Sequence, residues 1–519
     1  MAMLSESGGQ GTDAERYLAL AEDASDAAES GGEKTRAELA LNLIKGRMQI
    51  DRKQYREAEF LLRKNLEIYA QLPIRLGYIH APSLMLLGRI LSETGRVEEA
   101  RTAFRSAVEV AENDDAYLQD EKSRVAFDDE RRELYDSAIA FEYDHGATDA
   151  AWSYVQKYRA KLFLEFLVQF DPQMESTRGE ALSRATAQGL VPEGAQTVEY
   201  VLMKDRLLIW VASRNRFAVR SVGVSRRTVE EKVENFLKLL RNGGRVQQES
   251  RELFDWLIAP VADLLDPESA LAIVPDRALH GLPFAAIQNA ITGKYLIEDY
   301  PILLSPSLTY LLATRAAAPG RDSIVAFGSS TGEPSETREL MALQGIYSEA
   351  KTFTGADVNK SNFLDAMHRA PILHYAGHSA TEAADPLRSS IFLDGDRYGP
   401  NSVTAVDIAQ QRLLPNSLIV LSSCDSSVGN SRDGVGMRGL TSAFLIGGAG
   451  MVVGSLWPVE ASSTSNLMVS FHREFASSKL PVAHALRNAQ LRSIRSSREI
   501  SHPYNWSAFV LTGNFSALL

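Results

Sequence analysis

The spacing of apolar residues divides the chain into a helical part and a part in which strands and helices alternate. Over 34–170, apolar residues recur every three or four positions among strong helix formers, which predicts helices almost throughout. Over 196–519, short continuous apolar runs alternate with segments of helical length. Residues 171–195 mix polar residues with Gly and Pro, which indicates a linker that carries a short helix. Residues 1–33 lack apolar periodicity until about Tyr17, so we expect a flexible N-terminus that enters a first helix.

A loose repeat is visible in the helical part. Similar segments begin at Ala58 (AEFLLRKNLEI), at Ala100 (ARTAFRSAVEV), 42 residues later, and at Ala151 (AWSYVQKYRAK), 51 residues further on. Turn signals that contain Gly95 and Gly146 precede the second and third copies. Small residues let helices approach closely and the glycines let the chain reverse, so we predict stacked helix hairpins. The spacing exceeds the roughly 34 residues of tetratricopeptide repeats (TPR), and we therefore describe the region as TPR-like.

An ordinary helical bundle with chance similarity between its helices is the alternative for this region. Under either interpretation, we expect the helical part to make contacts and to carry no chemistry.

The second part of the chain has the pattern of an α/β domain. TVEYVLMKDRLLIWVAS predicts a hairpin that turns at Lys204 and Asp205, and an amphipathic helix is predicted from Thr228 to Leu240. Continuous apolar strands separated by helical segments indicate a mainly parallel sheet that is covered on both faces. The runs that predict these strands are LAIVPD (271–276), SIVAFG (323–328), ILHYAG (372–377), LIVLSS (418–423) and MVVGSLW (451–457).

Composition and charge narrow the function classes. Hydrophobic residues make up 45% and charged residues 23% of the 519 residues, which is typical of a globular protein. A formal net charge of −11 argues against nucleic-acid binding, and the absence of a long apolar run argues against membrane insertion. The polar, acidic start of the chain does not predict export, and the one cysteine, Cys424, cannot form an internal disulfide. We therefore expect a cytoplasmic protein.

Reactive side chains follow two of the predicted parallel strands. His378 comes just after the strand ILHYA, and Cys424 comes just after the strand LIVLSS. Because parallel neighbours end at the same edge of a sheet, we expect the two side chains to lie within reach of each other. An imidazole can remove the proton of a thiol, whose unperturbed pKa is about 8.5, and the thiolate can then attack a carbonyl. The pair is thus a candidate for nucleophilic catalysis.

Other interpretations of these residues remain open. A lone cysteine is often a buried, small apolar residue. His374, on the strand itself, is expected to pack or to orient the neighbouring loop. A metal site formed by His374 and His378 has no evident third ligand, so no metal is expected.

One glycine motif suggests a nucleotide cofactor but has the wrong position. GVGMRG, from Gly434 to Gly439, matches G-x-G-x-x-G, and Glu460 follows 21 residues later. In a dinucleotide-binding fold the first glycine lies directly after the strand, whereas here ten residues separate it from Cys424. We therefore interpret these glycines as a loop that enters a helix, and no cofactor is expected.

Five blocks of the second part follow one another in a distinctive order. They are LAIVPDRALHGLPFAAIQ with YLIEDYPILLSPS, LHYAGHS, LIVLSSCDSSVG, GLTSAFLIGGAGMVVGSLWPVE, and ALRNAQL with HPYNWSAFVLTG. Together they resemble the CHAT domain, a caspase-like peptidase module related to caspases and separase, over about 196–519. In the helical part, QKYRAKLFLEFL is similar to the helix that joins the two regions of bacterial TPR-CHAT proteins. This implies the fold class α + α/β, with TPR-like helical repeats followed by a caspase-like domain.

The resemblance also implies roles for individual residues. His378 and Cys424 correspond to the catalytic pair, and the backbone N–H groups of Cys424 and Ser379 correspond to the oxyanion hole. Many relatives have Gly where this chain has Ser379. Relatives often cleave after a basic residue held by an acid, and Glu460 or, beside the nucleophile, Asp425 is the candidate; capping of a helix or turn is the alternative for both.

The resemblance to bacterial TPR-CHAT proteins implies a biological setting as well. A cysteine endopeptidase with an exposed thiolate needs restraint, so we expect a protein partner on the helical repeats that activates it by population shift. The analogy extends to anti-phage defence, with a gasdermin-like protein or another effector as substrate. A non-enzymatic interaction scaffold with a caspase-like fold is the alternative.

Overall fold

The chain forms two compact units, Met1–Tyr158 and Arg159–Leu519. The predicted repeat boundary at 170 lies outside the residues that the structure describes, as does much of the predicted linker, so the domain limits stay predictions. The computed structural model describes residues 18–19, 22–23, 31–72, 77–113, 121–168, 182–313, 320–329, 333–382, 385–393, 399–423, 439–478, 480–497 and 499–518.

The first unit is helical, as its apolar spacing predicts. Its helices are α1 (Gly31–Asp51), α2 (Tyr55–Ala70), α3 (Gly77–Glu93), α4 (Val97–Asn113), α5 (Glu121–Asp144) and α6 (Thr148–Val168), the last of which continues past Tyr158. The repeat alanines Ala58, Ala100 and Ala151 each occupy the fourth position of a helix, and all three are fully buried. A larger side chain there would force the packed helices apart. The sequence repeat therefore coincides with a repeated close contact between helices.

Three turns reverse the chain with the same backbone conformation. Gly95 and Gly146, each two residues before a helix, have φ angles of +77° and +76°. Lys53 holds the corresponding position before α2 with a φ of +59°. Left-handed conformations favour glycine, so the glycine signal predicted the second and third turns. The first turn uses a lysine and carries no such signal.

The second unit is built on a sheet of eleven strands in the order β3-β2-β1-β4-β5-β14-β13-β12-β8-β6-β7, and a small sheet in the order β11-β10-β9 accompanies it. Among the described residues, seven neighbouring pairs of the large sheet are parallel and three are antiparallel. The strands are β1 (Ala195–Leu202), β2 (Leu207–Ser213), β3 (Arg216–Val222), β4 (Ala270–Val274), β5 (Ile302–Leu304), β6 (Ser323–Phe327), β7 (Glu349–Phe353), β8 (Ile372–Ala376), β9 (His378–Ala380), β10 (Ser390–Phe392), β11 (Ser402–Thr404), β12 (Leu418–Ser422), β13 (Met451–Ser455) and β14 (Phe509–Gly513).

Helices connect most of these strands. They are α7 (Arg184–Leu190), α8 (Arg226–Arg241), α9 (Gln247–Leu257), α10 (Leu296–Asp299), α11 (Leu308–Ala313), α12 (Pro334–Ile346), α13 (Lys360–Arg369), α14 (Ala405–Ala409), α15 (Leu440–Ile446), α16 (Ala461–Ser477), α17 (Val482–Ile494) and α18 (Pro503–Trp506). The helix predicted from Thr228 is α8, which extends two residues further toward the N-terminus. None of the described helices is long and apolar enough to cross a membrane.

The predicted fold class is confirmed. All five apolar runs form strands of one sheet, and the hairpin turns around Lys204 and Asp205, with Leu202 paired to Leu207. Strands β8 and β12 are fully buried, as expected for a sheet covered on both faces. The apolar runs listed above do not include β14. This strand lies between β5 and β13 and runs antiparallel to β13.

Candidate active site

The predicted parallel neighbours β8 and β12 lie side by side. They pair in parallel from Ile372 with Leu418 to Ala376 with Ser422, so both strands end at the same level. His378 follows β8 after a single glycine and begins β9, and its side chain is 54% exposed. The structure therefore places the predicted imidazole at the carboxyl edge of the sheet, where a peptide can reach it.

Tyr375, the one tyrosine of β8, holds the backbone of His378 in place by hydrogen bonds. The Tyr375 hydroxyl accepts a hydrogen bond from the His378 N–H (2.9 Å) and donates to the carbonyl of Phe392 (2.8 Å), with the His378 carbonyl also 3.0 Å away. A Cβ on Gly377 would lie 2.5 Å from this hydroxyl. Glycine is therefore required between the strand and the histidine for this arrangement to close.

A short chain of serines joins the ends of three strands. The Ser379 hydroxyl donates to the Ser423 hydroxyl (2.9 Å), and the Ser455 hydroxyl at the end of β13 donates to the Ser423 carbonyl (2.6 Å). Ser379, Ser423 and Ser455 are all buried. The residue after His378 is thus in direct contact with the residue before Cys424.

Cys424 and Asp425 lie outside the described residues, and so do all but the last residue of the glycine motif. Gly439, that last residue, directly precedes α15 with a φ of +142°. This is the helix entry that its position predicts. The roles assigned to Cys424 and Asp425 stay predictions.

An acidic residue that sequence reasoning missed faces His378. Glu336, in the first turn of α12, has Oε1 4.0 Å from Nε2 of His378. Its Oε2 accepts hydrogen bonds from the N–H (3.0 Å) and the hydroxyl of Ser329. Glu336 lies in GEPSETREL, near the start of a helix. Acidic residues are common there because a negative charge is favourable at a helix N-terminus, so nothing in the sequence distinguished Glu336 as a site residue.

A chain of buried polar side chains lies behind the site. His374 Nε2 lies 2.9 Å from Glu339 Oε1, His374 Nδ1 lies 3.1 Å from His472 Nε2, and His472 Nδ1 lies 2.7 Å from the Tyr347 hydroxyl. Burial and, secondarily, the neighbouring His374 hold the pKa of His472 well below its usual range. Among the described residues, no group of three His, Cys, Asp or Glu side chains could hold a metal ion.

Glu460 directly precedes α16 and follows β13, the strand beside β12. Its Oε1 accepts from the Ser462 N–H (3.0 Å), and its Oε2 accepts from the Ser463 N–H (2.8 Å) and the Ser462 hydroxyl (2.6 Å). The Ser462 hydroxyl and these backbone N–H groups lower the pKa of Glu460 to about 2. The exposed carboxylate is therefore ionised at neutral pH and caps the helix.

Comparison with known proteins is consistent with this architecture. The human tetratricopeptide repeat protein 28 is 26% identical over 325 residues, which cover 51% of this chain and 13% of that protein. The mouse protein of the same name is 24% identical over the same shares. The chain thus spans about an eighth of the length of the curated relatives it matches. The separase–securin complex of Saccharomyces cerevisiae aligns with a TM-score of 0.56 at 11% identity, over 98% of this chain and 49% of that chain.

The similarity to separase supports a shared fold alone, because the identity is low. A family model provides the stronger evidence. The model of the CHAT domain matches residues 247–514, which is more than half of the chain and includes every strand from β4 to β14. The match also spans the histidine, the serine contacts and the cysteine discussed above. The chain therefore belongs to the CHAT domain family.

Proposed function

We propose that this chain is a cysteine endopeptidase of the caspase and separase type, with His378 as general base and Cys424 as nucleophile. The observation that carries the proposal is the hydrogen bond between Ser379 and Ser423. Ser379 directly follows His378, and Ser423 directly precedes Cys424. Strands β8 and β12 end at the same level, and this contact lies just beyond their ends. It therefore supports the proposal that the sulfur and the imidazole lie at one edge of the sheet.

The proposed chemistry is acyl transfer to a thiolate. The imidazole of His378 takes the proton from Cys424, and the sulfur attacks the carbonyl carbon of the peptide bond. The backbone N–H groups of Ser379 and Cys424 stabilise the negative charge that develops on the carbonyl oxygen. The imidazolium then protonates the leaving amine, and water hydrolyses the thioester to release the acid and the free thiol.

We extend the proposal to cleavage after a basic residue, held by Glu460 or Asp425. Glu460 follows β13, which neighbours β12, so its negative charge lies at the end of an adjacent strand. A carboxylate has about four acceptor positions, and helix capping uses three hydrogen bonds here. One carboxylate can therefore cap α16 and still attract a cation.

Replacement of Glu460 by Gln tests both roles. Because the folded-state pKa is lowered, the capping contribution is full above the ordinary value near 4.5 and is lost as the pH falls toward 2. We expect Glu460→Gln to lower the free energy of unfolding by about 1 kcal/mol or less at pH 7, since the residue is exposed. The difference from wild type should vanish near pH 2 in urea titrations.

Glu460→Asp provides the control, because Asp is a good cap with a shorter reach. If Glu460 also binds the basic residue, Glu460→Asp keeps the stability but weakens the preference in a cleavage-site profile. An unchanged profile in both variants would assign the pocket to another acid, and Asp425→Asn is then the variant to profile.

We also propose that a protein partner on the helical repeats activates the peptidase. The separase to which the chain is similar was solved in complex with securin, a protein partner. The repeats α1 to α6 offer a helical surface on which Phe60 is 69% exposed. By analogy with bacterial TPR-CHAT proteins, the substrate is a gasdermin-like or other effector protein and the setting is anti-phage defence in the cytoplasm.

Covalent labelling separates the peptidase from an interaction scaffold. A peptidyl chloromethyl ketone with a terminal arginine is expected to modify the purified full chain once, at Cys424, as read by intact mass and peptide mapping. His378→Ala should suppress the reaction, since it removes the base. His368→Ala is the matched control, because His368 is an exposed histidine whose Nδ1 contacts the Arg412 carbonyl. Irreversible labelling also captures an active conformation that is rarely populated before a partner binds. Equal labelling of all three proteins, or an unlabelled wild type after prolonged incubation, would therefore contradict the proposal.

A further inference from the structure

Two acids on one helix face two histidines, one on β8 and one just after it. Glu336 and Glu339 are one helical turn apart on α12, while His374 and His378 are four residues apart along and just after β8. The inner pair, Glu339 and His374, has a separation of 2.9 Å and is buried. The outer pair, Glu336 and His378, has a separation of 4.0 Å, with 12% of the acid and 54% of the imidazole side chain exposed.

We propose that Glu336 is the positioning carboxylate of His378, making the dyad a triad. The inference rests on the proposed function. A base that must accept and return a proton needs a fixed ring orientation, which a second group on its far nitrogen provides. With Nε2–H directed at Glu336, the Nδ1 atom of His378 is the nitrogen that takes the thiol proton.

The carboxylate is held in place for this task. Its Oε2 accepts both the N–H and the hydroxyl of Ser329, a residue that is itself buried, so the other oxygen is turned toward His378. Glu336 also lies in the first turn of α12, where a negative charge is favourable. A carboxylate bound on one side and open on the other loses little freedom when it receives a second hydrogen bond.

The inner pair sets the register between helix and strand. Glu339 contacts His374 of β8, and Tyr347, at the C-terminal end of α12, contacts His472 of α16. The middle of α12 is thus tied to β8, and its C-terminal end to α16, by buried polar contacts. Buried polar pairs of this kind can specify one packing arrangement out of several. The position of Glu336 relative to His378 is therefore set by the packing of α12 as well as by the conformation of the Glu336 side chain.

A separation of 4.0 Å is longer than a hydrogen bond. Catalytic hydrogen bonds are often long in proteins without substrate and shorten in the substrate complex. The Tyr375 hydroxyl contacts the backbone of His378 and not its ring, and the predicted partner of the ring on the thiol side is Cys424. We expect rotation of the exposed ring of His378 to shorten this distance when substrate binds.

Glu336→Gln tests the proposal, with Glu333→Gln as the matched control. Glu333 precedes α12, is exposed, makes no capping hydrogen bond, and loses the same charge. We expect Glu336→Gln to lower kcat by about 10- to 100-fold with little change in KM. Glu336→Asp should recover part of kcat, and Glu333→Gln should match wild type.

A second readout does not require any substrate. Cys424 is the one cysteine of the chain, so its alkylation by iodoacetamide reports on a single thiol. A thiolate paired with an imidazolium reacts at low pH, which gives a shoulder in the rate profile. Glu336→Gln should reduce this shoulder, and Glu333→Gln should retain it.

The two proposals fail in different ways. If the wild type cleaves peptides and Glu336→Gln shows the same kcat, the positioning role is overturned and the peptidase stands. If the wild type cleaves nothing while the shoulder depends on Glu336, the peptidase proposal fails and the coupling of Glu336 to His378 stands.

Discussion

Cys424→Ala and His378→Ala are each expected to lower the rate of peptide cleavage by about 10⁴- to 10⁶-fold, because nucleophile and base act as one unit. For the same reason the double variant should be no slower than either single variant. The side chain of His378 is exposed, and this residue contributes its backbone to the contact with Tyr375. Unfolding by urea should therefore change little in His378→Ala.

The measurement is single-turnover cleavage of a fluorogenic peptide with a basic residue at the cleavage site. Thermal unfolding of each variant serves as the control for folding, and His368→Ala serves as the control for loss of an exposed histidine. Cleavage by the Cys424→Ala protein at the wild-type rate would show that another group attacks the substrate.

Glu339→Leu is expected to lower the free energy of unfolding by about 3–5 kcal/mol, because it removes the acid beside Nε2 of the buried His374 ring and leaves that ring with His472 alone. The cost is large because both side chains are almost fully buried and because His374 also contacts the buried His472. Urea denaturation followed by tryptophan fluorescence measures it. Four of the five tryptophans are in the second unit: Trp210, Trp256, Trp457 and Trp506.

A double-mutant cycle isolates the pair. The double variant Glu339→Leu/His374→Leu should be more stable than the sum of the single effects predicts, because neither partner is then left alone. Tyr347→Phe, at the far end of the chain of contacts, should cost less, about 1–2 kcal/mol. A loss below about 1 kcal/mol in Glu339→Leu would show that the pair contributes little to the packing of α12.

The fold was largely predictable because its main elements have local signatures. The buried alanines of the repeat and the continuous apolar runs of the parallel strands follow directly from close packing and burial on both faces. Strand ends then placed His378 at the sheet edge. The three-residue strand β5, the strand β7 and the strand β14, which runs antiparallel to β13, have no such signature, since their place depends on partners distant in the sequence.

The polar support of the site was less accessible from sequence. His472 lies on a helix with an ordinary apolar face, and its meeting with His374 depends on how α16 crosses the sheet. Glu336 has the pattern of a helix start, which many acids share. Contacts between side chains 98 or 42 residues apart, such as these two, arise from tertiary packing and not from local spacing. For Glu460 the sequence was more informative. Its capping contacts are with residues two and three positions away, and helix capping was one of the two roles considered from the sequence.

The place of β14 has a consequence for biosynthesis. This strand is made last among those described, yet it fills the gap between β5 and β13, and β13 carries the serine that holds the Ser423 carbonyl. A ribosome must therefore have translated past Gly513 before the central sheet can close. Long-range strand pairing of this kind is also slow to form. A nascent chain would accordingly carry its histidine and cysteine without a closed sheet between them, so the proposed peptidase is expected to stay inactive until β14 has been made.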